Sequence, residues 1–133
     1  MGVLIDTSLL IAYERRQREI EAMALAHSDE PLFVSAISAS ELLHGVHRAS
    51  DPAIATRRSA WVEALLAQLP ILPIELPTAR THARIWAELA GKGQMIGAHD
   101  AWLAATAISH GLRLATLNLR EFERVPGLVV EAW

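Results

Sequence analysis

Short apolar runs alternate along the chain with longer stretches of helical periodicity, and polar residues of particular kinds stand at the junctions. Val3, Leu4 and Ile5 form a β-branched, uncharged run that predicts a buried strand over 3–5. Asp6, Thr7 and Ser8 follow, all residue types that favour a helix start, ahead of Leu9, Leu10, Ile11, Ala12 and Tyr13. A second helix is expected over 18–27. Pro31 breaks the pattern, and Leu32, Phe33 and Val34 predict the next strand. Ser38, three residues ahead of Glu41, has the spacing of a capping box that opens a helix with Leu42, Leu43 and Val46. Asp51 and Pro52 restart a helix with proline in its first turn, and Ile54, Trp61, Leu65, Leu66 and Leu69 supply its apolar face.

Pro70 and Pro73 bracket a short strand over 71–74. Pro77 and Thr78 open another helix with Ala79, Ala83, Trp86, Leu89 and Ala90 on one stripe, ended by Gly91 and Gly93 ahead of a loop that runs through Gly97. The stretch 100–110 is apolar nearly all round, which predicts a buried central helix stopped by Gly111 at its C′ position. A fourth strand is expected over 112–116, one helical turn over 118–122 and a last strand over 128–130. Strands alternating with helices predict an α/β fold, a parallel sheet of about five strands with helices on both faces. No repeat, low-complexity tract or linker divides residues 1–133, so one domain is expected.

Composition narrows the functions open to such a fold. With 52% hydrophobic and 20% charged residues the chain folds on a core of its own. No apolar run approaches the roughly 18–20 residues that span a bilayer, and Asp6 interrupts the first one, so a cytoplasmic protein without membrane contact is expected. The absence of cysteine excludes disulfides, thiolate nucleophiles and thiolate zinc sites. A net charge of −3 argues against clamping a polyanion by charge alone. Lys92 is the only lysine; arginine, the main cation here, suits bidentate phosphate contacts, although most of these arginines are read as solvated helix faces. Aromatic residues amount to 5%, too few for an extended base-stacking platform. Trp61, Trp86, Trp102 and Trp133 are read as packing, and Tyr13, Arg15 and Arg16 as residues able to meet a nucleic acid.

The candidate chemistry lies in the acids at the ends of the apolar runs. Asp6 follows the first strand, Glu41 the second, Asp100 opens the apolar helix and Asn118 follows the fourth strand. In a parallel sheet these positions share one edge, where open α/β folds hold their ligands. Each residue also has a plain structural role open to it: Asp6 as an N-cap, Glu41 in a capping box, Asp100 against a helix dipole. Together they imply more, because carboxylates crowded to about 4 Å repel by roughly 4 kcal/mol per pair at an effective dielectric near 20. A hard divalent cation relieves that repulsion, takes carboxylate and water oxygens, and activates a water for in-line attack on phosphorus. Thr7, Ser8 and Thr116 are placed to hydrogen-bond the ligands, and Asn118 to offer an amide oxygen or orient a water. Glu41 and His44 have Glu-x-x-His spacing, but carboxylate-bridged iron needs a second copy that the sequence lacks. His44 and His47 are read as partly exposed helix residues, and His99, a neighbour of Asp100, either as a substrate contact or, as a lone histidine usually is, as a structural residue. The nucleophile elbow Gly-x-Ser-x-Gly and a phosphate-binding glycine loop are both missing.

The motifs Leu4-Ile5-Asp6-Thr7-Ser8, Ser38-Ala39-Ser40-Glu41-Leu42, Ile96 with Asp100-Ala101-Trp102-Leu103-Ala104-Ala105-Thr106-Ala107, and Ala115-Thr116-Leu117-Asn118-Leu119-Arg120-Glu121-Phe122, then Pro126-Gly127-Leu128 and Trp133, occur in that order. The ordered set resembles the PIN-domain ribonucleases, and more narrowly the VapC-type toxins of type II toxin–antitoxin pairs. The resemblance spans the chain and implies a PIN-like domain over 1–133 that acts as a Mg²⁺- or Mn²⁺-dependent endoribonuclease. It implies Asp6, Glu41 and Asp100 as the metal-holding core, with Asn118 assisting catalysis. It further implies RNA as substrate, a homodimer, and a cognate antitoxin whose C-terminal segment covers the acidic cleft. Many family members carry Asp where this chain has Asn118, which leaves the ligands of a second metal open. Glu121 either supplies the missing carboxylate or completes a cap with Asn118. Two rivals remain: a PIN-like binding module that has lost catalysis and acts through its partner, and a phosphoacceptor receiver domain. The latter needs a lysine after a late strand, whereas Lys92 lies between Gly91 and Gly93.

Overall fold

The computed structural model describes residues 1–27 and 29–133. Its strands are β1 (Val3–Ile5), β2 (Leu32–Ser35), β3 (Ile71–Leu72), β4 (Arg113–Thr116) and β5 (Val130–Ala132). They form one sheet in the order β3-β2-β1-β4-β5, every pairing parallel. Between them run α1 (Thr7–Arg15), α2 (Ile20–Ala26), α3 (Ala36–Arg48), α4 (Pro52–Gln68), α5 (Leu76–Gly91), α6 (Ala98–Ser109) and α7 (Leu119–Phe122). β1 lies at the centre, and the chain steps outward from it in both directions: β2 and β3 on one side, β4 and β5 on the other. The switch point is the crevice between β1 and β4, at the carboxyl ends of the strands.

The period of two along the strands sorts the core into two layers. Leu4 and Leu114 face a cluster containing Ile85 and Leu89 of α5, Leu103 and Ala104 of α6, and Phe122 of α7. Val3, Ile5 and Ala115 face the opposite cluster, with Leu9 and Leu10 of α1, Met23 of α2, Leu42 of α3 and Leu65 of α4. The central helix forms as its composition dictates: Ala101 and the residues from Leu103 to Ala107 are all buried. It stops where Gly111 takes a positive φ of 66°, a conformation that favours glycine. Asp51 caps α4 by accepting the Ala53 N–H at 2.9 Å, with Pro52 first in the helix.

Several expected details differ. The last strand lies at Val130–Ala132, not 128–130, because Gly127 turns the chain at φ 83° and pairing with β4 fixes the register from Leu114↔Val130 to Thr116↔Ala132. Ile54 and Trp86 are 36% and 58% exposed, so neither is a core residue; Val62 and Ile85 take those places. α5 begins at Leu76, just ahead of Pro77 and Thr78, with Glu75 as its N-cap, and the Thr78 hydroxyl accepts the Glu75 N–H at 3.3 Å. No helix among the described residues is long and apolar enough to cross a membrane.

Candidate active site

Asp6 emerges directly from β1, and its N–H donates to the Ala115 carbonyl of β4 at 2.9 Å, so the residue sits at the switch point. It occupies the N-cap position of α1, yet its side chain makes no capping hydrogen bond. The carboxylate turns to two hydroxyls instead: Ser8 Oγ and Thr116 Oγ1 each donate to Oδ2 at 2.7 Å. Thr116 is in turn held by the Asn118 N–H at 2.8 Å, and Ser8 by the Leu117 N–H at 3.2 Å. Asp6 is therefore a buried acid, 5% exposed, clasped through one oxygen by the first turn of α1 and the end of β4.

Glu41 lies in the second turn of α3 and not at its start. Ser35, the last residue of β2, is the N-cap, with its Oγ accepting the Ser38 N–H at 3.0 Å. Ser38, expected as the cap, is instead fully buried, with its Oγ 2.8 Å from Thr7 Oγ1. Thr7 Oγ1 is also 2.9 Å from Glu41 Oε1. A carboxylate only accepts, so the single Thr7 proton goes to Glu41. The buried hydroxyls thus aim Glu41 toward the end of β1, and on its other side His99 Nδ1 stands 3.6 Å from Oε2.

Because α6 runs back into β4, its first turn returns to the same sheet edge and brings Asp100 there. Burial pushes the Asp100 carboxyl up from 3.8 to about 6, helped by the negative charges of Glu121, Asp6 and Glu41 in that order. One acid thus feels the other three, which makes the four carboxylates a single electrostatic cluster. Glu121 belongs to it: its Oε1 accepts the Gly97 N–H at 2.9 Å and its Oε2 accepts Asn118 Nδ2 at 2.8 Å. A Cβ on Gly97 would lie 3.4 Å from Asp100 Oδ2 and 3.8 Å from Glu121 Oε1. The bare glycine keeps that gap between the two acids free of apolar atoms. Asn118 does not cap α7 with its side chain; it positions Glu121.

Among the described residues no group of three His, Asp or Glu side chains is drawn tightly enough to enclose an ion as it stands. The donor chemistry nevertheless fits a hard divalent cation: the acids converge as carboxylate oxygens, and their mutual repulsion is registered at Asp100. Sequence patterns located Asp6, Asp100 and the hydroxyls of Thr7, Ser8 and Thr116. They read Ser38 as a helix cap and Gly97 as the end of a loop, and so gave neither its place beside the acids. His44 and His47 are exposed as expected, while Tyr13 packs against the core beneath α1. A larger cleft of about 420 Å³, lined by Glu14, Arg18, Arg57 and Trp61 among others, contains none of the four acids.

Comparison with known proteins agrees with this geometry. The model of the PIN domain family matches residues 3–128. The chain is 39% identical over 130 residues to the tRNA(fMet)-specific endonuclease VapC of Salmonella typhimurium, covering 98% of this chain and 96% of that protein. It is 38% identical over 130 residues to Ribonuclease VapC1 of Rickettsia felis, covering 98% and 95%. Among solved structures, DNA-bound VapBC from Salmonella typhimurium superposes with a TM-score of 0.89 at 32% identity, covering 100% of this chain and 98% of that one. A family match over nearly the whole length, and relatives close to two-fifths identical, place this chain in the PIN-domain family, among the VapC ribonucleases.

Proposed function

We propose that this chain is the endoribonuclease toxin of a toxin–antitoxin pair, hydrolysing RNA phosphodiester bonds in a Mg²⁺- or Mn²⁺-dependent reaction. The observation that carries the reading is the four-carboxylate cluster of Asp6, Glu41, Asp100 and Glu121 at the switch point of a parallel sheet. The names of the relatives support it: one Salmonella protein is called an endonuclease specific for tRNA(fMet), and a solved Salmonella structure is of DNA-bound VapBC. The partners proposed are therefore an RNA substrate, a cognate antitoxin and a second copy of the chain, all meeting it in the cytoplasm. Residues 1–133 act as one PIN unit.

Asp6, Glu41 and Asp100 hold the cation, with Glu121 as a fourth carboxylate. Bound there, the cation supplies Lewis-acid polarisation of a phosphoryl oxygen and lowers the pKa of a water. The chain's own contribution is orientation. Ser8 and Thr116 fix Asp6 through Oδ2, Thr7 fixes Glu41 through Oε1, and Asn118 with the Gly97 N–H fixes Glu121. Burial, helped by the neighbouring negative charges, holds a proton on Asp100 up to about pH 6, so cation and proton compete for that carboxylate.

A catalytically silent binding module was the rival motivated by Asn118. The Asn118–Glu121 hydrogen bond weighs against it, because it supplies a carboxylate beside Asp100 despite the asparagine. Purified chain freed of antitoxin should cleave structured RNA with Mn²⁺, lose activity in EDTA, and lose it again on Asp6→Asn substitution. Undiminished cutting by that variant would remove Asp6 from the mechanism. An absence of metal-dependent cutting by the wild type would leave the binding module.

A further inference from the structure

A nuclease with a net charge of −3 and four acids at its centre must still admit a polyanion. Its cations are not evenly spread. Arg15, Arg48 and Arg58 line one small cleft of about 70 Å³, in which Glu41 of the acidic cluster forms part of the wall. Arg18 and Arg57 line the neighbouring larger cleft, and Glu14 borders both. The larger cleft also carries Glu19 and Glu21, so the net positive strip is the small one, where three of the chain's twelve Lys and Arg residues share a wall with a candidate catalytic acid.

Arg58 is pinned into this strip. Its Nη1 donates to the Gly45 carbonyl at 3.0 Å, and its Nε lies 3.5 Å from Glu14 Oε1. That Nε is buried and has no hydrogen-bond partner among the described residues. Arg15 and Arg48 close α1 and α3, and both are exposed. Basic residues in a last helical turn are favoured by the helix dipole alone, which accounts for each separately. It does not account for two helix ends and a third arginine from α4 converging on one cleft beside Glu41. Seven residues, about 10 Å of helix, separate Glu41 from Arg48, so a group held in the cleft is a neighbour of the reacting centre and not part of it.

We propose that the Arg15–Arg48–Arg58 cleft binds a non-scissile phosphate of the RNA strand and so fixes how the strand crosses the acidic cluster. This rests on the ribonuclease reading above. Guanidinium groups suit the site because they pair bidentately with phosphate oxygens and stay charged. The cleft has room for roughly five water positions, enough for one tetrahedral oxyanion. Glu14 is the internal competitor, occupying Arg58 until a phosphate displaces it.

The test uses the full chain and a labelled single-stranded RNA, with binding read in EDTA across a salt series. Arg15→Gln and Arg48→Gln, both at exposed positions, should each weaken binding several-fold, and the two together should reduce the salt slope by about 0.7, the loss of one phosphate. Glu14→Gln should tighten binding. With Mn²⁺ present, single-turnover cleavage of a long RNA should slow in the arginine variants, while cleavage of a dinucleotide, which has no second phosphate, should match the wild type. Arginine variants that bind and cut long RNA like the wild type would overturn the cleft while leaving the nuclease reading intact. An arginine-dependent salt slope in a protein that cuts nothing would support the cleft and refute the nuclease. Variants that retain RNA binding but no longer hold the co-expressed antitoxin would show a protein carboxylate to be the ligand, and would also overturn the proposal.

Discussion

Replacing Asp100 by asparagine should stabilise the cation-free protein, and by an amount that depends on pH in a definite way. Asp100 is half-buried among three other acids and its carboxyl is pushed from 3.8 to about 6. For an acid raised in the folded state, the native protein binds more protons than the unfolded chain between those two values. Stability therefore falls as pH climbs through that window, and above it the penalty is complete and constant. About two pH units at roughly 1.4 kcal/mol each set a ceiling near 3 kcal/mol. Solvent screening at a half-exposed group brings this down to about 1–2 kcal/mol. Asparagine also forfeits roughly 0.5 kcal/mol of favourable charge–dipole interaction in the first turn of α6. The net gain for Asp100→Asn is then about 1 kcal/mol at pH 7.5, or some 3–5 °C in Tm for a chain of this size. It should shrink toward zero as pH falls below 3.8, where the wild-type carboxyl becomes protonated in both states. Thermal or urea unfolding in EDTA at pH 7.5, 5.5 and 3.5 measures this directly, and Mn²⁺ should reverse the ranking by stabilising the wild type more than the variant. A variant less stable than the wild type at pH 7.5, or a gain that does not change with pH, would refute the claim that these four acids repel one another.

Further expectations concern the same scaffold. Asp6→Asn should leave Tm within a few degrees, because its amide oxygen still accepts from Ser8 and Thr116, while RNA cleavage falls to background in a gel assay. Thr116→Val removes one of the two clasps on Asp6 and should weaken Mn²⁺ binding by about 10–100-fold, as read by calorimetry. Glu121→Gln should lower the Asp100 pKa, seen by carboxyl NMR titration, since Glu121 is the largest of the charges acting on it. Gly2→Ala puts a Cβ 2.6 Å from the Phe33 ring and should destabilise by about 1–3 kcal/mol in denaturant unfolding.

Elements governed by local rules could be read from the chain directly. β1 is a three-residue apolar run, α4 starts at an Asp-Pro pair, and α6 is apolar over most of its length, buried from Leu103 to Ala107, and ends before glycine. Each follows from side-chain type and spacing. The misread features depend on partners distant in sequence. Ser38 has the spacing of a cap, but Ser35 ends the strand and takes that role, and Ser38 finds Thr7 instead, 31 residues away. The edge strand β5 takes its register from β4 alone, so its apolar run did not set its limits. Trp86 lies on a plausible stripe, yet Ile85 is the residue that faces the core. At the site, Asp6 and Asp100 were legible because strand ends and helix starts bring acids to one edge. Whether Glu121 joined them or merely capped with Asn118 turned on the loop at Gly97, which sequence spacing does not encode.

The clasp between Asp6 and Thr116 joins residues 110 positions apart, across the pairing of β1 with β4. During synthesis the first of these leaves the ribosome long before the second exists. A growing polypeptide therefore has no assembled scissors until its fourth strand has been made and has slotted in beside the first. For most of the chain's own translation the site is thus incomplete, and any chemistry it performs begins only once the last hydroxyl to grip Asp6 has arrived.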